Sequence, residues 1–357
     1  MQNEKIDSII NTRLENVTGT STDPFGDGSI VRILLIGLDK RVGQENGHCD
    51  AIQLITVDND KGFVNITAVP RGTYSPLPPG KGATSSDYYV SNACGLGGLD
   101  YGIKQIEKIL GIKADYLAIV GFSEVLGILR NMHLPTTETL QWLRHRQGYA
   151  IGEPQRAHNH STFIKQMMIK FVPVNTSKLD TALQYIIYKS VKTDLSFAQA
   201  RKIIDVISAM DIGNHPEKIV LSMRPLYPVQ DIPYEPGKIT EYLDETLGPI
   251  KHLLSKDDYS GVAGETVQAK LLAVIEENKT KPEFVIWAYQ NNLWLQIEDD
   301  EQRLAVQYDL LINYLALLTG KEERESAIAD YALEMENRGE PVWLEKARGL
   351  LAQEVDK

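Results

Sequence analysis

The sequence predicts an α/β protein with a helical extension, and three observations carry the prediction. Three short apolar runs, Ile33–Leu38, Ala51–Val57 and Val64–Val69, are rich in β-branched residues and punctuated by Gly, Asn and Asp, the pattern of buried or half-buried strands. Leu99–Leu110 then switches to helical spacing, with Ile103, Ile106 and Ile109 on one face, Lys104, Glu107 and Lys108 on the other, and Gly111 as a stop. From about Ile239 strand signals fade and amphipathic stretches take over.

In order, residues 1–29 are polar and read as a flexible N-terminal segment, with Gly19–Gly28 as a linker into the first strand. The α/β domain is assigned to 30–238. After the third strand comes a Pro/Gly-rich loop, Arg71–Gly82, continuing through Asn92 and Cys94 to Gly97-Gly98; α/β proteins keep binding groups in such loops. Tyr116–Val120 reads as a strand, and Ser123 as the cap of a helix from about Glu124 to Met132. A short helix starts at Thr136 or Thr137 and reaches Leu143, and another runs from about Ser161 to Phe171. Thr181–Lys189 and Ser196–Met210 are amphipathic, the latter with Ser196 and Gln199 spaced as a capping box. Ile219–Met223 is the last strand. The stretches Val267–Asn278, Glu301–Leu318, Lys321–Arg338 and Val342–Gln353 make 239–357 an α-helical extension.

With 357 residues the chain has room for one large domain and an appendage. A formal net charge of -11 and the lack of a basic stripe or recognition-helix pattern argue against a nucleic-acid binder. No run is long and apolar enough to span a bilayer and the N-terminus does not read as a signal peptide, so the chain reads as soluble. Cys49 and Cys94 are too few for a disulfide framework or a zinc knuckle; they read as buried thiols, with one bridge between them as the alternative.

Charges sit where the strands end. Asp39 closes the first run, Asp50 opens the second and Arg71 follows the third. Two carboxylates with a phosphate suit Mg²⁺, although Asp after a strand also caps turns. Arg144 and Arg146 share a side of an extended chain but diverge on a helix; with Arg71 they could neutralise a pyrophosphate, or serve as surface charges. His158 and His160 do not share a helix face and no zinc pattern surrounds them. No Gly-x-Ser-x-Gly elbow supports a serine hydrolase, and Gly95-Leu-Gly-Gly98 fits neither a dinucleotide nor a P-loop fingerprint.

The ordered set of motifs from Val31 to Met223 resembles the LytR–CpsA–Psr (LCP) family of bacterial cell-envelope proteins. Leu34-Leu-Ile-Gly37-Leu-Asp39 is similar to its strand ending in Gly-x-Asp, and Cys49-Asp50-Ala51 to its Ser-Asp-Thr element. Val69-Pro-Arg71-Gly-Thr-Tyr74 resembles Ile-Pro-Arg-Asp-x-Tyr, and Val90-Ser-Asn92-Ala-Cys94 resembles Lys-Ile-Asn-x-Ala. Gly97-Gly98 and a helix ending in Leu110-Gly-Ile112 follow in the family's order. Leu140-Gln-Trp-Leu-Arg144-His-Arg146 looks like Leu-x-x-Tyr-x-Arg-x-Arg, Gly152–Arg156 echoes Gly-Arg-x-x-Arg-Gln, and Ser190–Ser196 is similar to the segment after the family's last active-site helix.

The resemblance implies an α-β-α sandwich with a mixed central sheet and an apolar tunnel for a polyprenyl chain. It implies a phosphotransferase-type ligase that moves a glycopolymer from a polyprenyl-pyrophosphate carrier to a peptidoglycan hydroxyl during cell-wall biogenesis. The membrane surface would be approached through the lipid substrate, at the extracytoplasmic face. Carried over residue by residue, Asp39 and Asp50 would hold Mg²⁺. Arg71, Arg144 and Arg146 would join them in catalysis, with Arg156, Asn92 and Tyr74 binding substrate. A Cys49–Cys94 disulfide would suit that location and requires Cα atoms within about 7 Å. The chain departs from the family pattern at Gly72 (family Asp) and Val90 (family Lys). Arg156 aligns with either arginine of the late element, leaving Asn159 or Glu153 at the other position. These departures open a second reading, a weak or inactive member that binds polyprenyl phosphate or another anionic ligand. A third is an interaction scaffold that docks a partner through the helical extension.

Overall fold

The computed structural model describes residues 2–16, 23–172, 178–253 and 262–355. Its centre is a six-stranded mixed sheet, β1 (Ile30–Asp39), β2 (His48–Asp58), β3 (Phe63–Ala68), β4 (Tyr116–Gly121), β5 (Lys192–Thr193) and β6 (Ile219–Met223), in the order β5-β4-β1-β2-β3-β6. β1 runs antiparallel to β2 and parallel to β4; β3 runs antiparallel to β2 and parallel to β6. Consequently β1, β3, β4 and β6 all end at one edge of the sheet, where β2 begins. β5, too short to show as a strand pattern in the sequence, pairs antiparallel to β4.

Alternation along the strands feeds two cores, as a sheet covered on both faces requires. Leu34, Ile36, Ile52 and Leu54 pack with helices α1 (Gln2–Asn16), α2 (Val90–Gly97) and α3 (Leu99–Leu110). Val31, Val57, Val64 and Ile66 face the other way. There they meet Ile203 and Ile207 and the partly buried Ile164 and Met168. A third cluster joins α4 (Phe122–Asn131), α5 (Thr137–Arg144) and the second half of α6 (Gly152–Phe171). The remaining helices of this part are α7 (Lys178–Lys189), α8 (Phe197–Ala209) and α9 (Ile239–Leu247). The fold is therefore the α-β-α sandwich with a mixed sheet that the sequence motifs implied.

Several elements differ from the sequence expectation, each for a physical reason. The segment read as flexible contains α1, whose Ile6 and Ile10 lie one turn apart and are buried against the sheet, while Arg13 pairs with Asp194. A single narrow apolar stripe on a polar helix explains why composition alone suggests a linker. Gly19–Thr22, the start of the expected linker, lies outside the described residues. α6 begins nine residues before Ser161, because Pro154 falls in its first turn, where a missing N–H costs nothing. α4 starts at Phe122 with Gly121 rather than Ser123 in the capping position.

The expected thiols form a disulfide: Cys49 at the start of β2 is bonded to Cys94 in α2, with Cα atoms 5.9 Å apart. Gly102 lets α3 lie against that bond, since a Cβ there would fall 2.9 Å from Cys94 Cα.

The chain divides into two compact units, Met1–Gly261 and Val262–Lys357. α9 belongs to the first, burying Ile239, Leu243 and Leu247 with Trp142 and Tyr234. The sequence places this helix in the extension, because an amphipathic face does not say which core it covers. The second unit holds α10 (Gly264–Asn278), α11 (Pro282–Gln290), α12 (Asp300–Leu315), α13 (Lys321–Arg338) and α14 (Pro341–Val355). Its cores are built around Leu311, Ile328 and Met335 and around Phe284, Trp294 and Leu310. α11 is absent from the sequence reading; Pro282 at its start initiates rather than breaks it.

Candidate anion-binding site

The charged strand ends meet at the edge where β1 and β3 finish. A β-bulge makes the arrangement possible: Gly37 pairs with Ala51 and Leu38 with Cys49, so Asp50 has no partner across the ladder. The extra residue also shifts the side-chain alternation. Odd-numbered Cys49 thereby packs in the same core as even-numbered Ile52 and Leu54. Cys49 can then reach α2 while Asp50 meets the arginines.

Arg71, just beyond β3, donates from Nη1 to both Asp50 oxygens at 2.8 and 2.9 Å and from Nε to Glu153 Oε1 at 3.2 Å. Arg146 donates to the same Glu153 Oε1 at 2.6 Å, and Arg156 Nη2 lies 3.1 Å from Oε2. Arg156 also donates to the backbone carbonyl of Asp50 at 3.2 Å, and its side chain is only 7% exposed. Glu153 is thus shared by three guanidinium groups, and Arg71 bridges it to Asp50.

α6 carries two of these residues and is pinned to the sheet. Gln53 of β2 donates to Ala157 O at 3.0 Å and accepts from Ser161 Oγ at 2.6 Å, all three residues being buried. Gly152 opens the helix close to the preceding loop, where a Cβ would come 2.8 Å from Arg146 O. That close approach seats Glu153 beside Arg146.

The electrostatics favour charge throughout. Burial opposes ionisation of Asp50, but Arg71 and Arg156 outweigh it and hold its carboxyl below the ordinary carboxylate value. Glu153 is likewise lowered, burial being overcome by Arg156, Arg71 and Arg146. Burial works against the charge on Arg71, and Asp50 and Glu153 reverse it, leaving its pKa raised. Arg156 is lowered, first by burial and also by the neighbouring Arg71, yet a guanidinium stays protonated.

The other sequence-nominated residues fall in three places. Asn92 of α2 pairs with His48 Nδ1 at 3.0 Å and donates to Ser86 O at 2.8 Å, so it steadies the residue two before Asp50. Tyr74 is exposed and lies parallel to Tyr88, ring centroids 6.3 Å apart. Arg144 ends α5 and places its guanidinium 5.2 Å from the Phe122 ring centre, while Arg146, beyond the helix end, turns to Glu153. The helix boundary between them separates the two arginines. His158 meets Asp231 at 2.6 Å, and His160 donates to Leu143 O at 2.7 Å.

In the sequence Glu153 is visible only as a possible departure from a motif; its position between three arginines has no spacing signal. His48 had none either.

Asp39 ends β1 opposite His48, on the strand next to Asp50, and lies 3.7 Å from Arg41. Two carboxylates at one sheet edge are a donor set that fits Mg²⁺, which completes its shell with water and phosphate oxygens. A cation there would share Asp50 with Arg71. No group of three or more His, Cys, Asp or Glu suited to a metal occurs among the described residues.

A mixed sheet between helical layers, with guanidinium groups gathered where its strands end, defines an α/β protein with a site suited to phosphate. The sequence profile of the LytR_cpsA_psr family matches residues 3–129, about a third of the chain, and it is to this family that the chain is similar. That match contains Asp39, Asp50, Arg71 and Asn92; Arg146, Glu153 and Arg156 lie beyond it.

Among curated relatives, the polyisoprenyl-teichoic acid–peptidoglycan teichoic acid transferase TagU of Bacillus cereus is 24% identical over 201 residues, 50% of this chain and 64% of that protein. TagU of Bacillus mycoides is 23% identical over 207 residues, 52% of this chain and 66% of that one. The chain therefore spans a little under two thirds of these relatives. Of solved structures, B. subtilis TagV has a TM-score of 0.46 at 16% identity, covering 62% of this chain and 98% of its own. Among the described residues no helix is long and apolar enough to cross a membrane.

Proposed function

We propose that this protein is a phosphotransferase-type ligase of cell-envelope assembly, moving a glycopolymer from a polyprenyl-pyrophosphate carrier to a peptidoglycan hydroxyl outside the cytoplasmic membrane. The observation that carries the reading is the cradle of Arg71, Arg146 and Arg156 beside Asp50, in a chain whose residues 3–129 match the profile of this family. Those guanidinium groups would bind the phosphates and offset the charge that moves to the leaving group. Asp39 and Asp50 are the residues that would hold Mg²⁺, which when bound supplies further charge neutralisation at the phosphates. The Arg71–Asp50 pair orients both groups, and buried Arg156 anchors the cradle to α6.

The test is calorimetric binding of a short-chain polyprenyl pyrophosphate, with and without Mg²⁺, to the natural protein and to Asp50→Ala. Mg²⁺-dependent binding that the substitution removes is expected. No binding to either protein sinks the ligase reading. A second reading, a family member that binds an anionic lipid phosphate without transfer, is favoured by one observation: a carboxylate, Glu153, stands among the arginines. Binding without transfer to peptidoglycan acceptors would select it.

A further inference from the structure

Three guanidinium groups converging on one point repel one another unless an anion lies between them. Here the chain supplies that anion. Glu153 Oε1 accepts from Arg71 and Arg146, Oε2 sits 3.1 Å from Arg156, and the side chain keeps 27% of its surface exposed, within reach of solutes. Oε2 itself is buried and lacks a hydrogen bond of good geometry, so the carboxylate does not use the cradle fully. Counting Arg71, Arg146 and Arg156 against Asp50 and Glu153, the cluster carries one net positive charge; without Glu153 it would carry two.

We propose that Glu153 is a resident anion that sets the specificity of this site, standing between Arg71, Arg146 and Arg156 where ligand phosphate oxygens would bind. A multiply charged phosphate must displace it. A singly charged phosphate group meets less competition, because it needs fewer of the three guanidinium contacts. This rests on the reading of the cradle as a phosphate site. It makes the natural chain a poorer binder of pyrophosphate than its arginines alone would be.

The experiment titrates inorganic pyrophosphate and inorganic phosphate, with no divalent cation added, into the full chain and into Glu153→Gln, by calorimetry and by ligand-induced change in Tm. The amide keeps the shape and removes the charge. Pyrophosphate affinity is expected to rise about tenfold or more, the worth of one charge-assisted contact, with a smaller rise for phosphate. Adding Arg146→Ala to Glu153→Gln should take the gain back. Glu153→Asp, which keeps the charge but shortens the arm, should fall between, and serves if the amide variant folds poorly. Pyrophosphate binding that Arg146→Ala weakens but Glu153→Gln leaves equal or weaker would overturn the proposal alone, making Glu153 only a structural brace. No binding of either ion to any variant would overturn the phosphate reading and this proposal with it.

Discussion

Replacing both cysteines by alanine tests the architecture of the site as well as its stability. The Cys49–Cys94 bond closes a loop of 45 residues and both residues are fully buried. In the chain-entropy account, cross-linking a loop of this length is worth about 4 kcal/mol through the unfolded state. Urea denaturation of Cys49→Ala/Cys94→Ala should therefore show stability lower by roughly that amount, with a steeper dependence on denaturant because the unfolded chain is freer. The effect should reach the site. Cys49 precedes Asp50 on the bulge, and Cys94 lies two residues beyond Asn92, which pairs with His48. Pyrophosphate affinity should fall even under conditions where the variant is fully folded. Two reactive thiols on denaturing the natural, unreduced protein, or a stability change under about 1 kcal/mol, would refute the reasoning.

Two further outcomes follow from named contacts. His160 donates through Nε2 to Leu143 O, its Nδ1 is buried without a partner, and burial, then Arg156, push its pKa down to about 4. The unfolded chain takes up that proton near pH 6.5 and the folded chain does not. Stability is thus complete above 6.5 and falls, by up to about 3 kcal/mol, as pH drops toward 4. His160→Gln should flatten urea midpoints across that window; an unchanged slope would sink the assignment. Asp50 and Glu153, held below their ordinary 3.8 and 4.5, contribute stability that is lost only at still lower pH. Arg144→Ala should change pyrophosphate affinity by no more than about twofold, as for an exposed side chain away from the cluster, whereas Arg146→Ala in the Glu153→Gln background should cost about tenfold. Equal losses from both would mean that Arg144 also faces the ligand.

Periodicity made the sheet and most of its helices legible, because strands covered on both faces advertise themselves as short β-branched runs. It failed where local pattern and tertiary role part company. α1 is polar apart from one stripe, and only its docking on the sheet distinguishes it from a linker. The Asp50 bulge leaves no trace in composition, yet it lets neighbouring residues serve a core disulfide and a half-buried ion pair. At the site, Asp39, Asp50 and Arg71 were readable because each lies at the end of a recognisable strand. Arg144 and Arg146 were readable only as a pair; which one turns inward depends on where α5 ends, and helix ends are weakly encoded.

Glu153 shows most clearly how a departure from a motif acquires meaning from its neighbours. In the alignment that sets it at an arginine position of the motif, it subtracts a contact from a phosphate ligand. Placed in the first turn of α6, it is also favoured by the helix dipole, and Gly152 brings it against the Arg146 loop. The same carboxylate therefore holds Arg71, Arg146 and Arg156 together before any ligand arrives. Preorganising a cradle with an internal anion keeps its geometry ready but makes every incoming phosphate compete with it. Affinity and readiness are opposed at this one side chain. A loss of cradle order in Glu153→Gln, seen as faster side-chain motion of the arginines by NMR, together with tighter pyrophosphate binding would display both halves of that opposition. Unchanged order would mean that the arginines are held by α6 and the bulge alone.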